Sequence, residues 1–252
     1  MKRKIFNVIV FLMMAGVQIA NAQKMVIHRL GSEPIELEIS EIDHIGFVED
    51  EHEWVDLGLP SGTLWATCNI GASSPEERGD YFAWGETEPK SGFNWTTYLL
   101  CNKAENTLTK YCAQSEWGNE GFTDDLTELL PEDDAATVLW GKNWQMPSLE
   151  QVQELSTCSS ISTSINGVSG RKIFSKTDPQ NVWIFLPYTG WRQARNYNDM
   201  SYGYYWGRNP YSSNSNYGTG IYLNNSYVSI DNGSNNPSKR CYGRCIRPVR
   251  KK

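Results

Sequence analysis

The chain has 252 residues, is 39% hydrophobic and 12% aromatic, and carries a formal net charge of −6 at pH 7. That acidic balance argues against nucleic acid and anionic membrane surfaces as partners. The 13 Tyr and 10 Trp predict a core built from aromatic rings as much as from Leu and Val.

The first stretch is Met1-Lys2-Arg3-Lys4, then an apolar run from Ile5 to Ile19, then Ala20-Asn21-Ala22 before Gln23. A basic head, a short apolar run and an A-x-A site predict a secretory signal peptide over residues 1–22. The run of about 15 apolar residues is short of the roughly 20 that span a bilayer. No Cys follows the small residues, so a lipid anchor at that site is not supported. The expected product is exported (periplasmic, cell-surface or secreted) with no membrane insertion after cleavage. Loss of Lys2, Arg3 and Lys4 takes its formal charge to about −9.

Residues 23–53 read as a small β appendage. Two β-like runs, MVIHRL and IELEI, flank the turn signal Gly31-Ser32-Glu33-Pro34, and SEIDHIGF returns apolar residues at Ile42, Ile45 and Phe47. A hairpin of this size must pack on something to persist. The acidic run Glu49-Asp50-Glu51-His52-Glu53 reads as a solvated linker.

The main domain spans 54–250. WVDLGLPSGTLWATCNIG predicts two short strands around Pro60-Ser61-Gly62, and YFAWGE reads as an aromatic strand. Residues 90–132 are long and turn-rich. Two helices follow. The first runs from about Asp134 to Trp140, with Asp133 or Asp134 as N-cap and Gly141 as stop. The second opens on Ser148 with Gln151 three residues on, a capping-box pattern, and its Leu149, Val152 and Leu155 form one apolar stripe. Beyond Cys158 the pattern is β throughout: ISTSING, RKIFSKT, NVWIFLP, a Tyr- and Asn-rich stretch, and RCIRPVR. Strands on both sides of two helices give an α+β class.

From Pro187 to Asn236 the chain holds half of its Asn residues, mixed with Tyr, Ser and Gly, and only Arg192, Arg195, Asp199, Arg208 and Asp231 are charged. Tyr and Trp supply rigid contact area, and Ser, Asn and Gly supply adaptable hydrogen bonding, which is the composition of a recognition surface. Turn chemistry accounts for much of the Asn and Gly by itself.

Options for catalysis are narrow. His28, His44 and His52 all precede Trp54, so the main domain lacks the imidazole of a Ser-His-Asp triad, a Cys-His dyad or a His-ligated zinc site. Asp80, Glu86, Glu88 and the acidic residues between Glu116 and Asp134 could serve as glycosidase carboxylates, but caps, turns and solvated charge explain them more simply. The same oxygens leave calcium open, although the ordered EF-hand spacing is missing. No other cofactor is implied. Cys68, Cys101, Cys112, Cys158, Cys241 and Cys245 permit up to three disulfides in an exported chain, with 15 connectivities. Cys241 and Cys245, beside Lys239, Arg240, Arg244 and Arg247, could alternatively form a reactive pair in an electropositive setting. Structural cysteine is the favoured reading.

Several blocks in order carry a family resemblance: WVDLGLPSGTLWATCNIGASSPEERGDYFAWGETEPKS, AATVLWGKNWQMPSLEQVQEL, INGVSGRKIFSK, IFLPYTGWR, YGYYWGR and the closing IRPVR. Together they resemble the Fibrobacter succinogenes major paralogous domain family over nearly all of Trp54 to Arg250. The leading appendage resembles the short β element that precedes such domains in exported proteins of Bacteroides-type bacteria. The family is similar to C-type-lectin-like domains, including the formylglycine-generating-enzyme branch. The resemblance implies a compact α+β domain with two helices on short, mostly antiparallel sheets and paired chain ends. It also implies a ligand surface in the Tyr- and Asn-rich region, with Trp191, Tyr197, Tyr204, Tyr205, Trp206, Tyr211, Tyr217, Tyr222 and Tyr227 as candidate contacts. Several of these must be core, because strand side chains alternate faces. The Glu-Pro-Asn and Trp-Asn-Asp triplets of calcium-dependent sugar-binding lectins are absent, Glu88-Pro89-Lys90 being a partial match. The spacing of Cys241 and Cys245 differs from that of the sulfatase-activating oxidases.

The expectation is therefore an exported, non-enzymatic module that binds a glycan or an extracellular protein through its C-terminal face. The alternatives are a structural or tip subunit of a surface assembly, docked through the appendage, and a formylglycine-generating-type oxidase that uses Cys241 and Cys245.

Overall fold

The computed structural model describes residues 24–29, 32–39, 52–233 and 238–251. The expected signal peptide and the apolar return at 40–47 lie outside these residues. The chain divides into two compact units, Met1–Glu49 and Asp50–Lys252. Among the described residues no helix is long and apolar enough to cross a membrane.

In the first unit, β1 (Lys24–Arg29) pairs antiparallel with β2 (Ser32–Glu38) in the register Lys24↔Glu38 to Arg29↔Ser32. Ser32 to Pro34, expected in the turn, already belong to the strand.

The second unit is α+β, with two helices and several small antiparallel sheets. β3 (Trp54–Asp56) and β4 (Thr63–Ala66) flank the turn at Pro60-Ser61-Gly62, and β13 (Val249–Lys251) adds to the other side of β4. The beginning and end of this unit therefore share one sheet. α1 (Ala135–Trp140) is capped by Asp134, whose carboxylate accepts from the N–H groups of Ala136 and Thr137, and it stops at Gly141 with φ 94°. α2 (Leu149–Ser156) opens on the expected capping box: the Ser148 hydroxyl accepts from Gln151 N–H while Gln151 Oε1 accepts from Ser148 N–H. These caps satisfy donors that a helix start leaves without partners. β5 (Ser160–Ile165), β6 (Val168–Phe174) and β7 (Trp183–Pro187) form an antiparallel meander.

YFAWGE does not form a strand. Phe82 makes one antiparallel bridge to Arg244, and Trp84 N–H donates to the Arg240 carbonyl. The partner segment turns at 239–242, where Tyr242 N–H bonds to the Lys239 carbonyl, so no ladder extends. RCIRPVR is likewise strand only at its end; residues 240–248 run through the interior in turns and single bridges.

That interior passage explains three fully buried arginines. Arg247 donates to Asn69 Oδ1 and to the carbonyls of Ala66, Thr67 and Phe185, at 2.7–3.0 Å, so one guanidinium joins the end of β4 to β7. Arg240 stacks 4.3 Å above the Trp84 ring and donates to the carbonyls of Lys110 and Tyr111. Arg244 pairs with buried Asp231 at 2.7 Å and lies 4.2 Å above the Trp206 ring. Burial disfavours all three charges. Stacking and charge-assisted hydrogen bonds offset that cost, which a guanidinium does better than an ammonium.

Candidate functional site

β8 (Trp191–Gln193) and β9 (Asn196–Asn198) form a small hairpin, followed by an antiparallel sheet of β10 (Gly203–Pro210), β11 (Gly218–Leu223) and β12 (Val228–Asp231). Side chains alternate across this sheet. Tyr205, Ile221, Leu223 and Val228 point inward to the core cluster that also contains Val152 and Leu155 of α2. The opposite face carries Tyr204 and Trp206 on β10, Gly220 and Tyr222 on β11, and Ser229 and Asp231 on β12.

That outer face has two ends. At one, the chain covers it. Trp206 is fully buried and donates from Nε1 to the Phe82 carbonyl at 2.8 Å, while Trp84 donates back to the Gly207 carbonyl at 2.8 Å. A Cβ at Gly218 would lie 2.6 Å from the Trp84 ring and 3.0 Å from that of Trp206, so only glycine leaves room for both indoles. Asp231 accepts from Arg244, from the Ser238 hydroxyl and from Gly233 N–H.

At the other end the face is open. Tyr204 and Tyr222 are cross-strand partners with ring centroids 5.3 Å apart. Tyr202 stacks on Tyr222 at 6.0 Å and 23°, and Tyr227 meets Tyr222 at 6.0 Å and 59°. Tyr202 and Tyr227 are 38% and 51% exposed. Four rings thus form one continuous aromatic cluster, with Tyr204 buried beneath the other three. Asn224 organises its edge: Oδ1 accepts from the N–H groups of Ser226 and Tyr227, Nδ2 donates to the Tyr222 hydroxyl, and its backbone carbonyl accepts from buried Arg171. Burial pushes the Tyr204 and Tyr222 phenols up, and the nearby Asp199 carboxylate pushes in the same direction, so both stay neutral hydrogen-bonding groups at physiological pH.

The nine candidate contacts therefore separate. Tyr222 and Tyr227 lie in the open surface, whereas Tyr204 is buried beneath it at 8% exposure and belongs to the core cluster. Tyr205 and Trp206 are fully buried and are core; Tyr205 donates its hydroxyl to the Pro187 carbonyl at 2.6 Å. Trp191 is also buried, stacked on Tyr242 at 4.8 Å with Nε1 donating to Asp199. Tyr211 and Tyr217 hold a turn through Tyr211 N–H to the Tyr217 carbonyl. Tyr197 is 56% exposed but belongs to a separate group, edge-on to Tyr81 with the Arg192 guanidinium 4.6 Å away. Tyr202 was missed. Its spacing of two from Tyr204 was the available signal.

The other chemistry considered is placed as follows. All six cysteines are free thiols, with Cys68 half-buried and the other five buried. Burial pushes the Cys241 and Cys245 thiols up. Desolvation thus outweighs the basic neighbours that suggested a reactive pair. Glu86 is buried and accepts from Leu99 N–H and Lys90. Asp124 accepts from the N–H groups of Tyr111 and Cys112, and Asp134 caps α1. Among the described residues no group of three or more His, Cys, Asp or Glu could hold a metal ion.

Comparison with protein-family models, curated proteins and solved structures found no match.

Proposed function

We propose that the chain is an exported binding module of C-type-lectin-like fold that recognises a glycan, non-enzymatically, through Tyr202, Tyr222 and Tyr227, which pack over the buried Tyr204. The supporting observation is the continuity of these four rings on a sheet whose other face is locked into the core. Flat phenol rings offer the C–H face of a pyranose a stacking surface, and their hydroxyls, with Asn224 and Ser229 beside them, offer hydrogen bonds to its rim. The rings are already packed on one another, so little side-chain entropy is lost on binding. Resemblance to the Fibrobacter succinogenes major paralogous domains agrees with this reading, and so do the α+β architecture and the pairing of β13 with β4.

The test is a broad glycan array probed with purified residues 23–252, with and without a calcium chelator, beside a Tyr202→Ala/Tyr227→Ala variant. Chelator-independent binding that the variant loses supports the reading. Equal binding by the folded variant removes these residues from the site, and loss with chelator alone replaces aromatic stacking with calcium-dependent recognition.

A further inference from the structure

A second aromatic site lies at the start of the main unit. Trp54 on β3 is 46% exposed and lines two adjoining hollows. The larger, about 480 Å³, lies between the edges of two sheets, with Trp54, Val55 and Asp56 of β3 on one side and Asn181, Val182 and Trp183 on the other. The smaller, about 320 Å³, is also lined by Trp54 and is completed by His52, Glu53 and Thr67. Trp54 is thus the residue the two hollows share.

We propose that this trough binds a neutral, unbranched oligosaccharide that straddles Trp54, at a site separate from the tyrosine face. The larger hollow is shallow and open to solvent, which suits a chain lying along the surface rather than an enclosed small molecule. Its polar groups are held in position. Asn181 Nδ2 donates to both oxygens of Asp178 at 3.1 and 3.2 Å, and Asp56 Oδ1 accepts from Gly58 N–H at 2.9 Å. Trp183 is steadied by the Lys172 ammonium, 4.0 Å from its ring centroid. Two indoles, two carboxylates and an amide match a ligand with C–H faces and a rim of hydroxyl donors. Glu53 and Asp56 repel an acidic sugar, while Lys172 is engaged on Trp183.

Addition of a peptide strand fits less well. β3 is an edge strand of only three residues, which offers few backbone hydrogen bonds. On the opposite edge, the Phe185 carbonyl is already taken by Arg247, and Lys176 N–H closes the end of the groove by bonding to the Leu57 carbonyl.

The experiment follows the indole N–H resonances of Trp54 and Trp183 in isotope-labelled residues 23–252, assigned with Trp54→Phe and Trp183→Phe. The probes are trisaccharides of β-1,4-linked glucose, N-acetylglucosamine and mannose, a trisaccharide of galacturonic acid, and an alternating Val-Thr heptapeptide. The expected result is that a neutral trisaccharide shifts both resonances saturably. Trp54→Ala should weaken its affinity about tenfold, the order of one lost stacking surface, and Tyr202→Ala/Tyr227→Ala should leave it unchanged. Silence with every neutral sugar overturns the proposal, as does stronger binding of the acidic sugar or of the peptide. Loss of the shifts in the tyrosine variant would deny that the trough is a separate site, whereas failure of the tyrosine face on the array leaves these resonances unaffected.

Discussion

The outer face of the β10–β11–β12 sheet places similar residues in opposite circumstances at its two ends. At the covered end, Trp206 and Asp231 lie beneath Arg244, Ser238 and Trp84. At the open end, Tyr222 is flanked by the exposed Tyr202 and Tyr227, while Tyr204 is buried beneath them with the Arg244 guanidinium 5.3 Å from its ring. Composition does not separate the two ends, since both are aromatic and come from the same low-charge stretch. The difference is the path of residues 238–248, which cross the face at Trp206, reach as far as Tyr204 through Arg244, and leave Tyr202 and Tyr227 exposed. An aromatic side chain here is structural where that segment reaches it and available to a ligand where it does not.

The sharpest way to break this comparison is to uncover the closed end. Arg244→Met leaves Asp231 without its buried partner and should cost about 3–5 kcal/mol, measured by urea unfolding. In the wild-type protein Cys241 and Cys245 should resist alkylation under native conditions while Cys68 reacts first. In Arg244→Met the two buried thiols should become labelled, reporting release of the segment. Trp206→Ala should cost a similar amount, about 3–5 kcal/mol, by loss of a fully buried ring.

A finer test uses Tyr205, which points inward between the two ends. Tyr205→Phe deprives the Pro187 carbonyl of its donor and should cost about 1–2 kcal/mol, with glycan binding unchanged. The smallest expected effect on stability is at the open end. Tyr202→Ala/Tyr227→Ala should shift the unfolding free energy by only about 0.5 kcal/mol per substitution, because neither ring is enclosed. A loss as large as that of Trp206→Ala would mean that the open rings are core after all, and the contrast between the ends would fail.

What could be read from the sequence was local. The Ser148/Gln151 capping box, the Asp134 cap and the Gly141 stop depend on neighbours three or four residues away, and each stands where the pattern put it. The three β-like runs ISTSING, RKIFSKT and NVWIFLP also stand as strands, although their pairing into one meander is a finding of the structure. YFAWGE reads as a strand but forms none, because its bridging partner among the described residues is a segment about 160 residues later that turns after one bridge. Alternation along β10 correctly required that some candidate contacts be core. It could not say which end of the outer face would be covered, because that depends on Arg244, which the sequence offers only as part of a basic setting for Cys241 and Cys245 and which is buried on Asp231 and the Trp206 ring. The Trp54 trough went unnoticed for a related reason: it joins the edges of two sheets more than 120 residues apart in the chain.

The most direct test of the central claim is a titration of one array-identified glycan into wild-type protein, Tyr202→Ala/Tyr227→Ala and Tyr205→Phe, by calorimetry at a temperature where all three are folded. Binding that persists in Tyr205→Phe and vanishes in the double variant is the predicted result. Equal affinity in all three, with the fold intact, would contradict the assignment of the open tyrosine end as the ligand surface.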